Sequence, residues 1–266
     1  MTHNMVELSG LYNIIKGQMV HRDVNLTVQT GEVFALIGGS GSGKTTILRN
    51  ILMLLKPSAG KVKVFGVDVA NCSEREADAV RRRWGVMFQQ GALFSGMTVL
   101  ENIMFPLQEF SGLPKAVCQK LALLKLHLVG LASSAANKYP AELSGGMLKR
   151  AAAARAIALD PELLILDEPT SGLDPKSTEE FDQLLLMLRA ALGLSIILVS
   201  HDVDSLTRLT DRVAFLGNAT VLATGSLEEL KACSIPEIQA YFHAYAEGQR
   251  LPVHKVPMVH PLRGLK

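Results

Sequence analysis

The chain has 266 residues, 48% of them hydrophobic and 20% charged, which is enough length and apolar content for a sizeable core and fits one lobed domain better than two. A formal net charge of +2, with Lys and Arg scattered, excludes a general nucleic-acid binder and a protein held on anionic lipid by charge alone. No stretch reaches the roughly 18 uninterrupted apolar residues of a membrane helix, and Met1 to Leu8, which carries Glu7, lacks the basic-then-apolar order of a signal peptide, so any bilayer part is expected from another chain.

In chain order, Val24, Leu26 and Val28 alternate, Gly31 turns the chain, and Val33 to Ile37 reads as a strand buried on both faces. A glycine-rich loop leads into a helix expected from about Lys44 to Leu55, stopped before Pro57 and Gly60, after which Val62 and Val64 alternate as a short strand. Thr98 and Glu101 have the spacing of a capping box, Pro114 suits the first turn of a helix running to Val129, and a third helix starts near Ser144. The apolar run Leu163 to Leu166, a helix from Pro175 to about Leu192 and a second buried run from Ile196 to Val199 imply a parallel sheet with right-handed crossovers. Residues 213 to 223 read as a hairpin around Gly217-Asn218, and the chain from Leu227 on is helical. After Gly248 come Pro252, Pro257 and Pro261 with Arg250, Lys255, Arg263, Lys266 and no acid, a composition suited to an extended arm. Cys72, Cys118 and Cys233 lie far apart, form an odd set without metal-ligand spacing and favour a reducing cytosolic setting.

Gly38-Gly39-Ser40-Gly41-Ser42-Gly43-Lys44-Thr45 follows the full phosphate-loop pattern between a buried strand and a helix start. The glycines let successive N–H groups wrap a polyphosphate, Lys44 suits its β- and γ-phosphates, and the Thr45 hydroxyl suits Mg²⁺. Asp167 and Glu168 follow a strand at the sheet edge where ligands bind in open α/β folds. Alone, the pair reads as loop acids; with the phosphate loop upstream, Asp167 is expected in the Mg²⁺ shell and Glu168 as the base or orienter of the attacking water, a role worth about 10² to 10⁴-fold in rate. Ser200-His201-Asp202 ends the second apolar strand and puts an imidazole at the same edge, suited to the γ-phosphate or its water.

Leu143-Ser144-Gly145-Gly146-Met147, with Arg150 three residues on, resembles the signature of ABC ATPases, whose usual last residue is Gln. Together with Gln89 after Val86-Met87-Phe88 and with Ser171-Gly172-Leu173-Asp174, it makes the chain similar to that family. The resemblance implies an α/β P-loop NTPase fold with a RecA-like core, an antiparallel β subdomain and an α-helical signature subdomain. It sets residues 1–247 as the ATPase domain, the helical part at about 90–160, and 248–266 as a basic tail. It also implies an ATP hydrolase using Mg²⁺. ATP would be held by Gly38 through Thr46, by Asp167, and by Ser144, Gly145, Gly146 and Asp174 acting on the nucleotide of a second copy. Thr45, Gln89 and Asp167 would hold the metal, and Glu168, His201 and Gln89 would serve catalysis. A Ser-Gly-Gly at a helix start offers free N–H groups to an anion, which in the family belongs to the opposite subunit, hence a homodimer. The family's adenine-stacking aromatic is replaced by Ile15, with Tyr12 three residues earlier.

Phe88 to Phe94, Thr98 to Ile103, Phe105-Pro106-Leu107 and Met147 resemble the ATPases of Mla-type phospholipid transporters associated with MCE proteins. This implies a subunit at the cytoplasmic face of the inner membrane, peripheral through its permease. An MCE-domain protein and a small regulatory subunit are candidate partners, with no nucleic acid. Leu93, Phe94, Met97 and Phe105 are expected either to dock the permease or to pack the core, and the tail to reach a neighbouring subunit. The alternative is an ATPase of a small-solute importer, of amino-acid type, which shares every core motif.

Overall fold

The computed structural model describes residues 4–89 and 91–247. The described chain folds as two compact units, one comprising residues up to Val80 together with those from Val199 on, the other Arg81–Leu198. The expected arm at 248–266 lies outside the described residues.

The first unit opens with β1 (Asn4–Ile15) and β2 (Gln18–Gln29), an antiparallel hairpin whose two connecting residues, Lys16 and Gly17, both have positive φ. Such a turn matches the right-handed twist of its strands. The Val24, Leu26 and Val28 alternation is borne out as one buried face, but it slips at Asp23, whose φ is +51°, so that His21 also points inward. β3 (Val33–Ile37) is buried at every residue, as its continuous apolar run implied. α1 is Lys44–Ile51, shorter than the helix expected to Leu55. Met53 turns left-handed (φ 58°), the N–H groups of Leu54 and Leu55 fold back on the Arg49 carbonyl, and the Asn50 side chain donates to the Leu55 carbonyl at 2.8 Å. β4 (Ala59–Val64) pairs antiparallel with β1, and β5 (Val67–Asp68) turns back on β4, giving the order β2-β1-β4-β5. α2 (Glu74–Arg81) buries Ala77 and Val80.

In the second unit β6 (Trp84–Met87) leads to α3 (Val99–Phe110), where Thr98 and Glu101 form the expected capping box. α4 (Lys115–Leu128) and α5 (Gly145–Ala156) complete a helical layer. The chain returns through β7 (Leu163–Asp167), parallel to β6 with Trp84 opposite Leu163 and Met87 opposite Leu166. α6 (Pro175–Leu192), capped by Asp174 and closed by left-handed Gly193, precedes β8 (Ser195–Val199). Gly85 explains how tightly β6 and α5 meet: a Cβ there would lie 2.0 Å from the Ala156 carbonyl oxygen.

The remaining elements return to the first unit: α7 (Val203–Leu209), β9 (Arg212–Gly217), β10 (Thr220–Gly225), α8 (Leu227–Ala232) and α9 (Pro236–Ala246). β9 runs parallel to β3, and the hairpin to β10 turns on Asn218-Ala219. The helical stretch expected from Leu227 is two helices. The second packs Tyr241 edge-on against Phe215 with ring centroids 5.3 Å apart. No described helix is long and apolar enough to cross a membrane.

Candidate functional site

In the first unit, β3 delivers the chain at Gly38, where φ is +142° and a Cβ would lie 2.3 Å from the Leu216 carbonyl oxygen. Only glycine leaves the strand past β9 there. The loop then curls around Lys44, whose Nζ donates to the carbonyls of Gly38 at 2.7 Å and Gly39 at 3.0 Å and to Ser42 Oγ at 3.4 Å. Gly43, with φ +97°, caps α1 without any side-chain hydrogen bond. Backbone N–H groups at a helix start and one ammonium at the same turn form a cradle for a polyphosphate. Gly39 is buried, Ser40, Gly41 and Thr45 are exposed, and Thr46 is half-buried.

Beneath this cradle lies a polar cluster that the sequence reading missed. His21 is fully buried, and a Cβ on Gly43 would lie 2.3 Å from its Nε2. Asn13 Nδ2 bonds His21 Nδ1 at 3.0 Å and donates to Asn50 Oδ1 at 2.7 Å, while Asn50 Nδ2 donates to Asn13 Oδ1 at 3.3 Å. With both amides arranged so, Nδ1 accepts and Nε2 carries the proton. Nε2 faces the Ser42 and Gly43 backbone without a well-aligned partner. Burial pushes the imidazole pKa down to about 4, against weaker upward pulls from those two residues. Ile15 and Tyr12 stand half-buried in β1.

His201 is exposed and held between two local turns. Ser200 Oγ accepts from the Asp202 N–H at 3.1 Å, and Asp202 caps α7 by accepting from the N–H groups of Asp204 and Ser205.

In the second unit, β7 ends at half-buried Asp167, and Glu168 follows in the left-handed conformation, φ +49°. For a non-glycine residue this costs on the order of 1–3 kcal/mol and is characteristic of functional turns. The Glu168 carbonyl accepts from the Ser171 N–H at 3.2 Å, and Gln89 Nε2 donates to Ser171 Oγ at 3.4 Å. The structure therefore brings Gln89, Glu168 and the Ser171 turn together.

Ser144 caps α5, accepting from the Met147 N–H at 3.3 Å, and Asp174 caps α6, accepting from Ser177 N at 3.0 Å and Ser177 Oγ at 2.6 Å. Those Ser177 bonds hold the Asp174 carboxyl below its ordinary pKa. Both helix starts open onto one recess of about 520 Å³, lined by Ser144, Gly145, Gly146, Leu173, Asp174 and Ser177 among others. Two positive helix ends facing one recess suit an anion supplied from outside. Behind it, Arg150 donates to the Val129 carbonyl at 3.0 Å and pairs with Glu180 at 3.5 Å.

Of the four apolar residues expected either at a dock or in the core, Phe94 is exposed while Leu93, Met97 and Phe105 are half-buried. Phe94 meets Phe105 edge-on at 5.0 Å, and the Arg155 guanidinium sits 4.6 Å over its ring. The loop beneath is organised by buried Asn102, whose side chain bonds the N–H and carbonyl of Phe94 and the carbonyls of Met97 and Thr98. Among the described residues no group of three or more His, Cys, Asp or Glu is placed to hold a metal, and the three cysteines are free.

The profile of the ABC transporter family matches residues 21–171, more than half of the chain. A Haemophilus influenzae protein named as the intermembrane phospholipid transport system ATP-binding protein MlaF is 40% identical over 230 residues, 86% of this chain and 87% of that protein. A Caulobacter vibrioides methionine import ATP-binding protein, MetN, is 44% identical over 225 residues, 85% of this chain and 67% of that protein. Among solved structures, a dimeric bacterial ABC transporter cassette matches with a TM-score of 0.77 at 33% identity, covering 84% of this chain and 99% of that one. The same cassette in a post-hydrolysis state with ADP and Pi matches equally well.

Proposed function

The chain belongs to the ABC transporter family, as an ATP-hydrolysing subunit with the α/β P-loop fold of its cassettes, and from that premise we propose that it powers phospholipid transport between membranes. The near full-length similarity to a phospholipid transport ATPase, 87% of that protein's length, carries this reading. A second reading, small-solute import, is favoured by the 44% identity to a methionine importer's ATPase, of which this chain spans 67%.

In the proposed cycle Gly38 through Thr46 wrap the ATP phosphates and Lys44 turns from its own loop carbonyls to the β- and γ-phosphates. The hydroxyl of Thr45 in the first unit, and the carboxylate of Asp167 and the side-chain amide oxygen of Gln89 in the second, are each hard oxygen donors that would suit Mg²⁺. That ion would neutralise charge on the phosphates. Glu168 orients and deprotonates the attacking water, and His201 contacts the γ-phosphate. Ser144, Gly145, Gly146 and Asp174 reach the nucleotide of a second copy, a role supported by the recess they line, where two helix starts are presented to an anion. The homodimer works beneath a membrane permease at the cytoplasmic face of the inner membrane, in company with an MCE-domain protein. Residues 1–247 form the ATPase domain, and α3 to α5 make up its helical part.

Lipid mass spectrometry on the intact complex, with and without ATP turnover, tests the substrate class. Co-purified phospholipid whose occupancy changes with turnover is expected. A complex that carries no lipid and whose ATPase is stimulated by an amino acid would replace this reading with the second.

A further inference from the structure

Lys149 lies in α5, one turn past the Ser144-Gly145-Gly146 start, on a helix whose next four residues, Ala151 to Ala154 after Arg150, are buried alanines. It is only 5% exposed. An ammonium so placed is tolerated only when hydrogen-bonded, and its Nζ donates to the carbonyl of Gln89 at 2.6 Å and to that of Glu168 at 3.5 Å. Burial pushes its pKa down, and the Glu168 carboxylate partly restores it. The Glu168 carbonyl also accepts from Ser171 N, and Ser171 Oγ accepts from Gln89 Nε2. Lys149, Gln89, Ser171 and Glu168 thus close a ring that joins α5, the loop after β6 and the turn after β7. Glu168 stands in that ring with a left-handed backbone, a conformation that persists only where its surroundings hold it.

We propose that Lys149 is a positioning residue that locks the backbones of Gln89 and Glu168 to the signature helix, so that a shift of α5 moves both together. The bonds of the ammonium go to main-chain carbonyls, those of Gln89 and Glu168. It acts by fixing where the Glu168 side chain starts from, and this rests on the reading of Glu168 as the base. Misplacement of a reacting group by about 1 Å can cost about 10²-fold in rate.

The test measures kcat and KM for ATP in the assembled transporter, with full-length chains, for wild type, Lys149→Met, Ser171→Ala, the double variant and Glu168→Gln. Lys149→Met is expected to lower kcat about 10 to 100-fold with KM within about threefold. Ser171→Ala is expected to lower kcat less, and the double variant to be no slower than Lys149→Met, since a ring is opened only once. A Lys149→Met kcat within twofold of wild type, a parallel rise in KM, or independent, multiplying losses in the double variant would overturn the proposal. If Glu168→Gln turns over normally, the reading of Glu168 fails instead, whatever Lys149 does. Should Lys149→Met fail to fold, Lys149→Gln keeps one donor and takes its place. Should that fail too, Ser171→Ala decides alone: lowered kcat at unchanged KM supports the ring, and unchanged kcat refutes it.

Discussion

His21 makes the stability of this protein depend on pH in a window set by one side chain. It is fully buried, and burial lowers its pKa from 6.5 to about 4. In the unfolded chain the imidazole takes up a proton as pH falls through about 6.5, whereas the folded chain refuses it until about pH 4. Between those values the unfolded state binds more protons, so stability is full above about pH 6.5 and is lost progressively as pH falls towards 4. A pKa gap of about 2.5, at about 1.4 kcal/mol for each, corresponds to a loss on the order of 3 kcal/mol. His21→Leu removes the titrating group and keeps the volume, at the expense of leaving one Asn13 N–H without its acceptor, which costs about 1–3 kcal/mol at every pH. Urea unfolding of both proteins from pH 7.5 to 4.5 reads this directly. The wild type's stability relative to His21→Leu is expected to fall by about 2–3 kcal/mol across that range, with m-values unchanged. Curves that stay parallel within about 0.5 kcal/mol would refute the linkage.

Three further substitutions probe separate parts of the structure. Gly85→Ala places a Cβ 2.0 Å from the Ala156 carbonyl oxygen, and the overpacking is expected to cost about 1–3 kcal/mol or more by thermal unfolding. Asn102→Leu strands the N–H of Phe94 and opens the 94–98 loop; a loss of roughly 2 kcal/mol is expected, with faster amide exchange confined to that loop and the start of α3. Glu168→Gln is expected to cut ATP turnover in the assembled complex by about 10² to 10⁴-fold while nucleotide affinity stays within a few-fold, as read by phosphate release and by titration with a fluorescent nucleotide.

The buried polar groups share one logic. Single deletions in the His21, Asn13 and Asn50 cluster leave a donor or acceptor stranded, whereas an apolar replacement of all three removes the bonds within the cluster together and strands only the Leu55 carbonyl that Asn50 serves. The same asymmetry holds at Lys149, whose removal leaves two carbonyls without their cation.

Much of this protein was legible residue by residue. The phosphate loop between strand and helix, the Thr98 and Glu101 box and the Asp174-Pro175 start of α6 are set within about one turn of the chain, and the run of β7 shows its burial in its own apolar composition; these rules hold in the structure. What failed were features decided by distant partners. β1 went unseen because register shifts break its alternation between Leu8 and Ile14. α1 ends at Ile51 because the Asn50 side chain, shared between the Leu55 carbonyl and Asn13 from β1, takes the place of further helical turns. Lys149 reads as an ordinary helical cation until the fold brings it to carbonyls 60 and 19 residues away. A motif records which atoms can meet a phosphate, because that geometry is local. Which buried polar atoms hold the motif in place depends on pairings that only the packed chain creates.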